Sequence, residues 1–248
     1  MLLVLTILTA LATIIGCSLL DASWWSYYPG RLWSRAMVRL LLLPVHIEGR
    51  EHMDAGQSYV IIPNHQGTFD IFLIYGFLNR PFKWMMKEEL RKMPFIGKAC
   101  DSAGFIFVDQ KGGPRKMLET HKRARAVLQD GVSLVVFPEG ARTWDGRLRR
   151  FKRGAFQLAD ELQLPLLPIT INGSFEALPR TRGYVNFVHW HPLTLTIHPA
   201  ILPSEKSGDE VVDGARERQT MQEAYEIIAS RLTTVPHAPA EGTYNPND

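Results

Sequence analysis

Tyr59-Val60-Ile61-Ile62-Pro63-Asn64-His65-Gln66-Gly67-Thr68-Phe69-Asp70 runs directly into Ile71-Phe72-Leu73-Ile74-Tyr75. The apolar run 59–62 reads as a buried strand, and 71–75 as the start of an apolar helix. A histidine and an aspartate five positions apart therefore sit at a strand-to-helix junction, where loops commonly carry function. On an unbroken helix five residues turn about 140°, so the two side chains diverge. They meet only if His65 precedes the helix and Asp70 lies in its first turn. Gly67 is expected to allow the sharp turn, and Thr68 to cap the helix. Asp70 then stands in the positive field of a helix N-terminus. It can hold one imidazole nitrogen as N–H and leave the other as a base. No G-x-S-x-G nucleophile elbow occurs, so the proton His65 removes is assigned to a substrate hydroxyl. On this pair alone, a core histidine beside a capping aspartate remains the alternative.

Outward from this junction, strands alternate with helices. Further strands are read at 44–49, 82–87, 105–108, 134–137, 166–171 and 193–197, and helices at 88–101, 114–129, 156–162 and 210–232. Pro94 and Gly97 are expected to interrupt the first of these helical stretches. The alternation predicts an α/β fold, a mostly parallel mixed sheet covered by helices. Ligand sites in such sheets gather beyond the carboxyl ends of strands. His65, Asp109 and Glu139 all fall there. Residues 235–248 are rich in Pro, Asn and Gly and are expected to be disordered.

The first 20 residues carry no charge, and Trp24, Trp25, Tyr27, Tyr28 and Trp33 follow them. This pattern predicts a hydrophobic membrane-anchoring helical segment with an interfacial aromatic belt. Whether the segment spans or lies within one leaflet is left open. Arg31, Arg35 and Arg39 share one helical face beside Met37 and Leu40 to Leu42, predicting an interfacial helix. They place the following domain on the cytoplasmic side of the inner membrane. A secretory signal is disfavoured because no positive residue precedes the apolar run. The expected organisation is 1–43 anchor and interfacial helix, 44–234 catalytic domain and 235–248 tail.

The chain has 248 residues, 46% of them hydrophobic, and a net charge of +3. That suits a sizeable core and either an acidic substrate or anionic lipid. Its two cysteines, Cys17 and Cys100, make no disulfide framework, which points to a reducing compartment.

A second constellation follows strand 134–137. Pro138-Glu139-Gly140-Ala141-Arg142 is succeeded by Arg147, Arg149, Arg150, Lys152 and Arg153. Gly140 permits a tight turn and close ligand approach, and Arg142 offers a planar fork suited to a phosphate. Most of the run 147–153 reads as a solvated face.

With these blocks in place, the chain resembles glycerolipid acyltransferases of the lysophosphatidate acyltransferase type. Four ordered stretches carry the resemblance over about residues 40–200. They are His65 to Asp70; Lys87 through Leu90, Pro94 and Gly97 to Gly104–Asp109; Phe137 to Arg142 with Phe151 to Phe156; and Leu164 to Ile169, ending at Asn172-Gly173. The resemblance implies transfer of a fatty acyl group from acyl-coenzyme A or acyl carrier protein to the sn-2 hydroxyl of 1-acylglycerol 3-phosphate. It implies His65 as base and Asp70 as its orienting partner, with Arg142 on the acceptor phosphate and Glu139 and Gly140 shaping the site. Lys87 and Lys111 are further substrate-binding candidates. No cofactor or metal is expected, and the partners are membrane lipid and the acyl donor, with no nucleic acid. Two departures fall at the headgroup site: Gln110-Lys111 where the pattern has Arg after Asp109, and Ala141 where it has Thr. They leave open a different lysophospholipid or an amine-bearing lipid as acceptor. A non-catalytic lipid-binding protein is the alternative from another class, and a hydrolase a weaker one.

Other signals carry less. His189-Trp190-His191 has metal-like spacing on an expected strand face but no third ligand. Gly97-Lys98 lacks the rest of a phosphate-binding loop. Cys100 reads as core packing rather than a nucleophile.

Overall fold

Three consecutive β-branched residues, Val60, Ile61 and Ile62, favour extended backbone, and all are fully buried. Their side chains alternate between two cores. Tyr59 and Ile61 join one hydrophobic cluster and Val60 and Ile62 another, as the two-residue period of a strand requires. A strand apolar on both faces must be covered on both, and the rest of the fold does this. The computed structural model describes residues 2–109, 112–128, 130–180, 187–204 and 206–233. In chain order the elements are α1 (Leu2–Leu19), α2 (Ala22–Trp25), α3 (Tyr28–Leu40), β1 (Val45–Glu48), β2 (Val60–Pro63), α4 (Phe69–Phe77), β3 (Phe82–Lys87) and α5 (Ile96–Ser102). Then follow β4 (Ile106–Val108), α6 (Gly113–Val127), β5 (Ser133–Val135), α7 (Gly154–Leu162), β6 (Leu166–Asn172), α8 (Ser174–Ala177), β7 (Leu193–Ile197) and α9 (Glu210–Ser230).

The seven strands of the described residues form one sheet in the order β1-β7-β6-β2-β5-β3-β4. Every pairing is parallel except β6 with β7. This is the mostly parallel mixed sheet the sequence predicts. The exception joins β6 and β7, sheet neighbours connected through residues 173–192, in which α8 is the only helix among the described residues. On one face, Val38 of α3 and Leu73 and Ile74 of α4 pack on Ile61, Val135 and Leu167. On the other, Phe156 and Ala159 of α7 and Ala224 and Ile228 of α9 cover Val60 and Ile62. Ala124 of α6 and Leu158 of α7 cover Ile106 and Leu134.

The stretch 88–101 is divided. A 3-10 turn spans Glu88–Lys92, and α5 begins only after Phe95, whose φ is 61°. Pro94 cannot continue the turn. Gly97 lies so close to the Arg91 carbonyl that a Cβ would meet its oxygen at 2.0 Å.

The N-terminal segment lies against this body. α1 packs on α3 and α5, and Trp33 Nε1 on α3 donates to Thr6 Oγ1 at 3.0 Å. Its 18 residues span ~27 Å, against ~30 Å of hydrocarbon. No helix among the described residues is long and apolar enough to cross a membrane. Its outer face nonetheless exposes Leu3, Val4, Leu8, Leu11, Ile15 and Leu19. Tyr27, Val38 and Leu43 join the main core, so α3 is fixed to the sheet-covering layer.

The arginine face of α3 is not simply turned outward. Arg35 Nε donates to the Gly76 carbonyl at 2.7 Å, and Arg31 donates to the Asn79 side chain. Arg50 donates to the carbonyls of Phe77 and Leu78. These three cations satisfy groups at the C-terminus of α4, where the helix dipole favours positive charge. Arg39 is exposed.

Candidate active site

β2 ends at Pro63, which has no N–H to extend the ladder. The next residue extends it with a side chain. Asn64, 0% exposed, donates from Nδ2 to the Ile171 carbonyl at 2.9 Å and accepts the Ile171 N–H on Oδ1 at 2.7 Å. The side-chain amide so takes the place of a peptide unit and fixes where the chain leaves the sheet. A polar residue immediately after an apolar strand is the only sequence sign of this.

His65 follows. Its backbone N–H donates to Glu139 Oε1 at 2.6 Å, and its carbonyl accepts the Thr143 N–H at 3.0 Å. Its ring stacks on Phe137 with centroids 3.7 Å apart and planes 12° apart. Phe137 stacks in turn on Trp84. Nδ1 lies 2.8 Å from Asp70 Oδ2, which also accepts the Gly67 N–H at 2.9 Å. Asp70 is 0% exposed. A carboxylate at Nδ1 assigns the proton there and leaves Nε2 as the acceptor. The meeting of His65 and the first turn of α4 is the arrangement the five-residue spacing requires.

Two local expectations take a different form. Thr68 occupies the N-cap position of α4 but makes no side-chain cap. Its Oγ1 instead accepts Nη1 of Arg142 at 2.7 Å. Gly67 is not in the left-handed region; a Cβ there would meet Ser174 O at 2.4 Å, so close packing on α8 is what requires glycine.

The second constellation packs directly on the first. Gly140 has a φ of 74°, and its N–H closes a turn to the Phe137 carbonyl at 3.0 Å. Glu139 is 2% exposed and accepts two backbone N–H groups, from His65 and, at 2.8 Å, from Arg149. It shapes the site by bridging the two loops. Gln66 Nε2 donates to the Gly146 carbonyl at 2.9 Å, and Gly146 abuts Phe175 of α8. Three loops, after β2, β5 and β6, thus form one layer beyond the carboxyl ends of these strands.

Burial pushes the Glu139 carboxyl up from 4.5 to about 8, against the opposing pull of the two N–H donors. The sign follows from linkage. Between about pH 4.5 and 8 the folded chain holds a proton that the unfolded chain has lost, so stability falls as pH rises through that window. Wild-type Tm is expected to fall between pH 5.5 and 8.5 relative to Glu139→Gln, which has no such proton to lose. Scanning both by differential scanning fluorimetry checks this; parallel Tm–pH curves would show that Glu139 is not the group.

Lys87 ends β3 and is exposed. Burial first, then the charges of Lys87 and Arg149, hold the Lys152 pKa down. Lys87, Lys152 and Arg149 therefore stand together beside Gly140, against whose α-carbon Lys152 lies. Most of the run 147–153 is exposed, as its reading as a solvated face expects; Arg149 is half-buried, and Lys152, though exposed, turns back toward Gly140. Arg153 makes an ion pair with Glu217 at 2.6 Å. Lys111 and Gln110 lie outside the described residues.

No group of three or more His, Cys, Asp or Glu able to hold a metal occurs among the described residues. His189 and His191 lie on irregular chain before β7, not on a strand. Burial pushes the Cys100 thiol up to about 12.

A family model described as acyltransferase matches residues 44–172. A 1-acyl-sn-glycerol-3-phosphate acyltransferase of Chlamydomonas reinhardtii is 30% identical over 193 residues, covering 77% of this chain and 57% of that protein. The alpha form of the same-named enzyme from Mus musculus is 35% identical over 144 residues, 55% of this chain and 50% of its own length. The chain spans about half the length of the curated relatives it matches. In fold it is similar to the crystal structure of the 1-acyl-sn-glycerophosphate acyltransferase PlsC of Thermotoga maritima. The TM-score is 0.66 at 24% identity, over 93% of this chain and 99% of that one.

Proposed function

This chain belongs to the acyltransferase family, and we propose that it transfers a fatty acyl group from an acyl thioester, acyl-coenzyme A or acyl carrier protein, to the sn-2 hydroxyl of 1-acylglycerol 3-phosphate, giving phosphatidate. The observation that carries this reading is the His65 Nδ1 to Asp70 Oδ2 bond of 2.8 Å beside Arg142. The names of the relatives above supply the acceptor.

Mechanism follows from what a thioester needs. Asp70 holds the imidazole with Nε2 unprotonated. Nε2 takes the hydroxyl proton as the oxygen attacks the thioester carbonyl, forming the C–O bond. The tetrahedral intermediate collapses by breaking C–S, and the imidazolium returns the proton to the departing thiolate. A thioester is already activated, so one base suffices and no acyl-enzyme forms. Arg142 holds the acceptor phosphate, with Lys87 and Lys111 as further contacts and Glu139 and Gly140 fixing the loop. No cofactor takes part.

We assign 1–43 to anchoring and 44–234 to acyl transfer, at the cytoplasmic face of the inner membrane. The tail assigned to 235–248 lies outside the described residues. The exposed apolar face of α1, on a helix too short to cross, supports an anchor lying in one leaflet. The pair Leu8→Asp and Ile15→Asp removes two exposed apolar side chains, each contributing roughly 1.5–3 kcal/mol when buried. Co-sedimentation with phosphatidylglycerol–phosphatidylethanolamine vesicles is expected to fall at least ~10-fold. Equal partitioning of variant and wild type would rule out α1 as the anchor.

The reaction itself is tested by thiol release from palmitoyl-coenzyme A, and from palmitoyl carrier protein, with and without 1-acylglycerol 3-phosphate. Release that needs the acceptor, with phosphatidate as product, is the expected result. Acceptor-independent release would make the chain a thioester hydrolase.

A further inference from the structure

Arg180 follows α8 on chain that none of the four sequence blocks covers, yet it reaches the loop layer of the site. One of its Nη atoms donates to the Arg142 carbonyl at 3.1 Å. Its guanidinium carbon stands 3.7 Å from the centre of the Trp144 ring. The stack sets the plane of the fork, and the carbonyl takes one of its five N–H donors. Partial burial and the nearby charges of Arg142 and Arg149 hold its pKa down. Among the described residues no carboxylate forms an ion pair with Arg142, Arg149 or Arg180, whereas Arg147 and Arg153 each have one and Arg91 has two. Like charges gathered without an acid cost free energy, and a bound dianion offsets that cost. Arg142 is anchored on Thr68, within the turn that carries His65 and Asp70, so an anion held between Arg142 and Arg180 lies next to the base.

We propose that Arg180 is a second cation for the acceptor phosphate, sharing it with Arg142, and that the pair sets the preference for a phosphate monoester over a singly charged headgroup. This rests on the acyl-transfer reading given above. Trp144 acts through Arg180 as a platform.

The test uses the full chain with 1-oleoylglycerol 3-phosphate as acceptor and its singly charged phosphomethyl ester as competitor. Arg180→Gln is expected to raise the acceptor KM roughly 10–100-fold, the scale of a charge-assisted contact. The KM for acyl-coenzyme A stays unchanged, and the ratio of competitor Ki to acceptor KM shrinks by a similar factor. Arg180→Lys keeps the charge without the planar fork and recovers part of the loss. A wild type that turns over the acceptor while both variants keep its KM overturns the proposal, and so does a rise in donor KM alone. A wild type inactive on every lysophosphatidate overturns the acyl-transfer reading, and this one with it.

Discussion

His65→Ala is expected to lower acceptor-dependent thiol release by roughly 10²–10⁴-fold, the usual contribution of a positioned general base. The loss should fall on kcat, because in the proposed mechanism the histidine touches the reacting hydroxyl and not the phosphate or the thiol carrier. Two neighbours change with it. Phe137 loses one of its two stacking partners and keeps Trp84, and Asp70 keeps only the Gly67 N–H on Oδ2. A buried carboxylate with one partner removed costs stability, on the order of 3–5 kcal/mol at the high end. Circular dichroism and Tm must therefore accompany the kinetics, and His65→Gln, which retains a polar group near Asp70, serves as the second variant. Variants that stay folded and turn over within threefold of wild type would remove His65 from the chemistry.

Asp70→Asn tests the orientation of the base rather than its presence. The substitution is close to isosteric, but an amide pointing at Nδ1 donates where the carboxylate accepts. The ring then carries its proton on Nε2 and presents N–H to the hydroxyl it should deprotonate. The same logic in serine proteases costs about 10⁴-fold, and a loss on the order of 10³–10⁴ is expected here. The double variant with His65→Ala should be no worse than His65→Ala alone, because the two residues act as one unit. Stopped assays with acceptor held above KM provide the comparison. Additive losses in the double variant would mean that Asp70 has a separate task, such as holding the Gly67 turn.

Which parts were readable from the sequence follows from the range of the interactions. The His65–Asp70 unit was readable because both residues lie within one strand-to-helix junction, where local spacing decides whether they meet. The sheet was readable as mostly parallel because apolar runs alternate with helical stretches. The antiparallel β6–β7 pair was not, since strand direction at that edge depends on which long-range neighbour β7 meets, β6 on one side and β1 on the other. Periodicity placed Arg31, Arg35 and Arg39 on one face of α3 but could not show that the C-terminus of α4 waits under two of them. Glu139 was visible as part of a motif, whereas its two backbone partners depend on how distant loops cross. Arg180 left no local signal at all; only the folded chain carries it back to Arg142.

The side-chain amide of Asn64 that continues the β2–β6 ladder has a consequence for how this scaffold can change. It belongs, with Glu139 and Asp70, to an inner tier of fully enclosed groups bonded mainly to main chain. Thr68, Arg142, Trp144 and Arg180 make up an outer tier, the one proposed to meet the headgroup, and it is bonded mainly within itself. Mutational load is therefore partitioned. On the proposed function, drift in the outer tier changes the headgroup contacts while the enclosed groups keep His65 and Asp70 aligned, so a change of acceptor does not require a loss of the base.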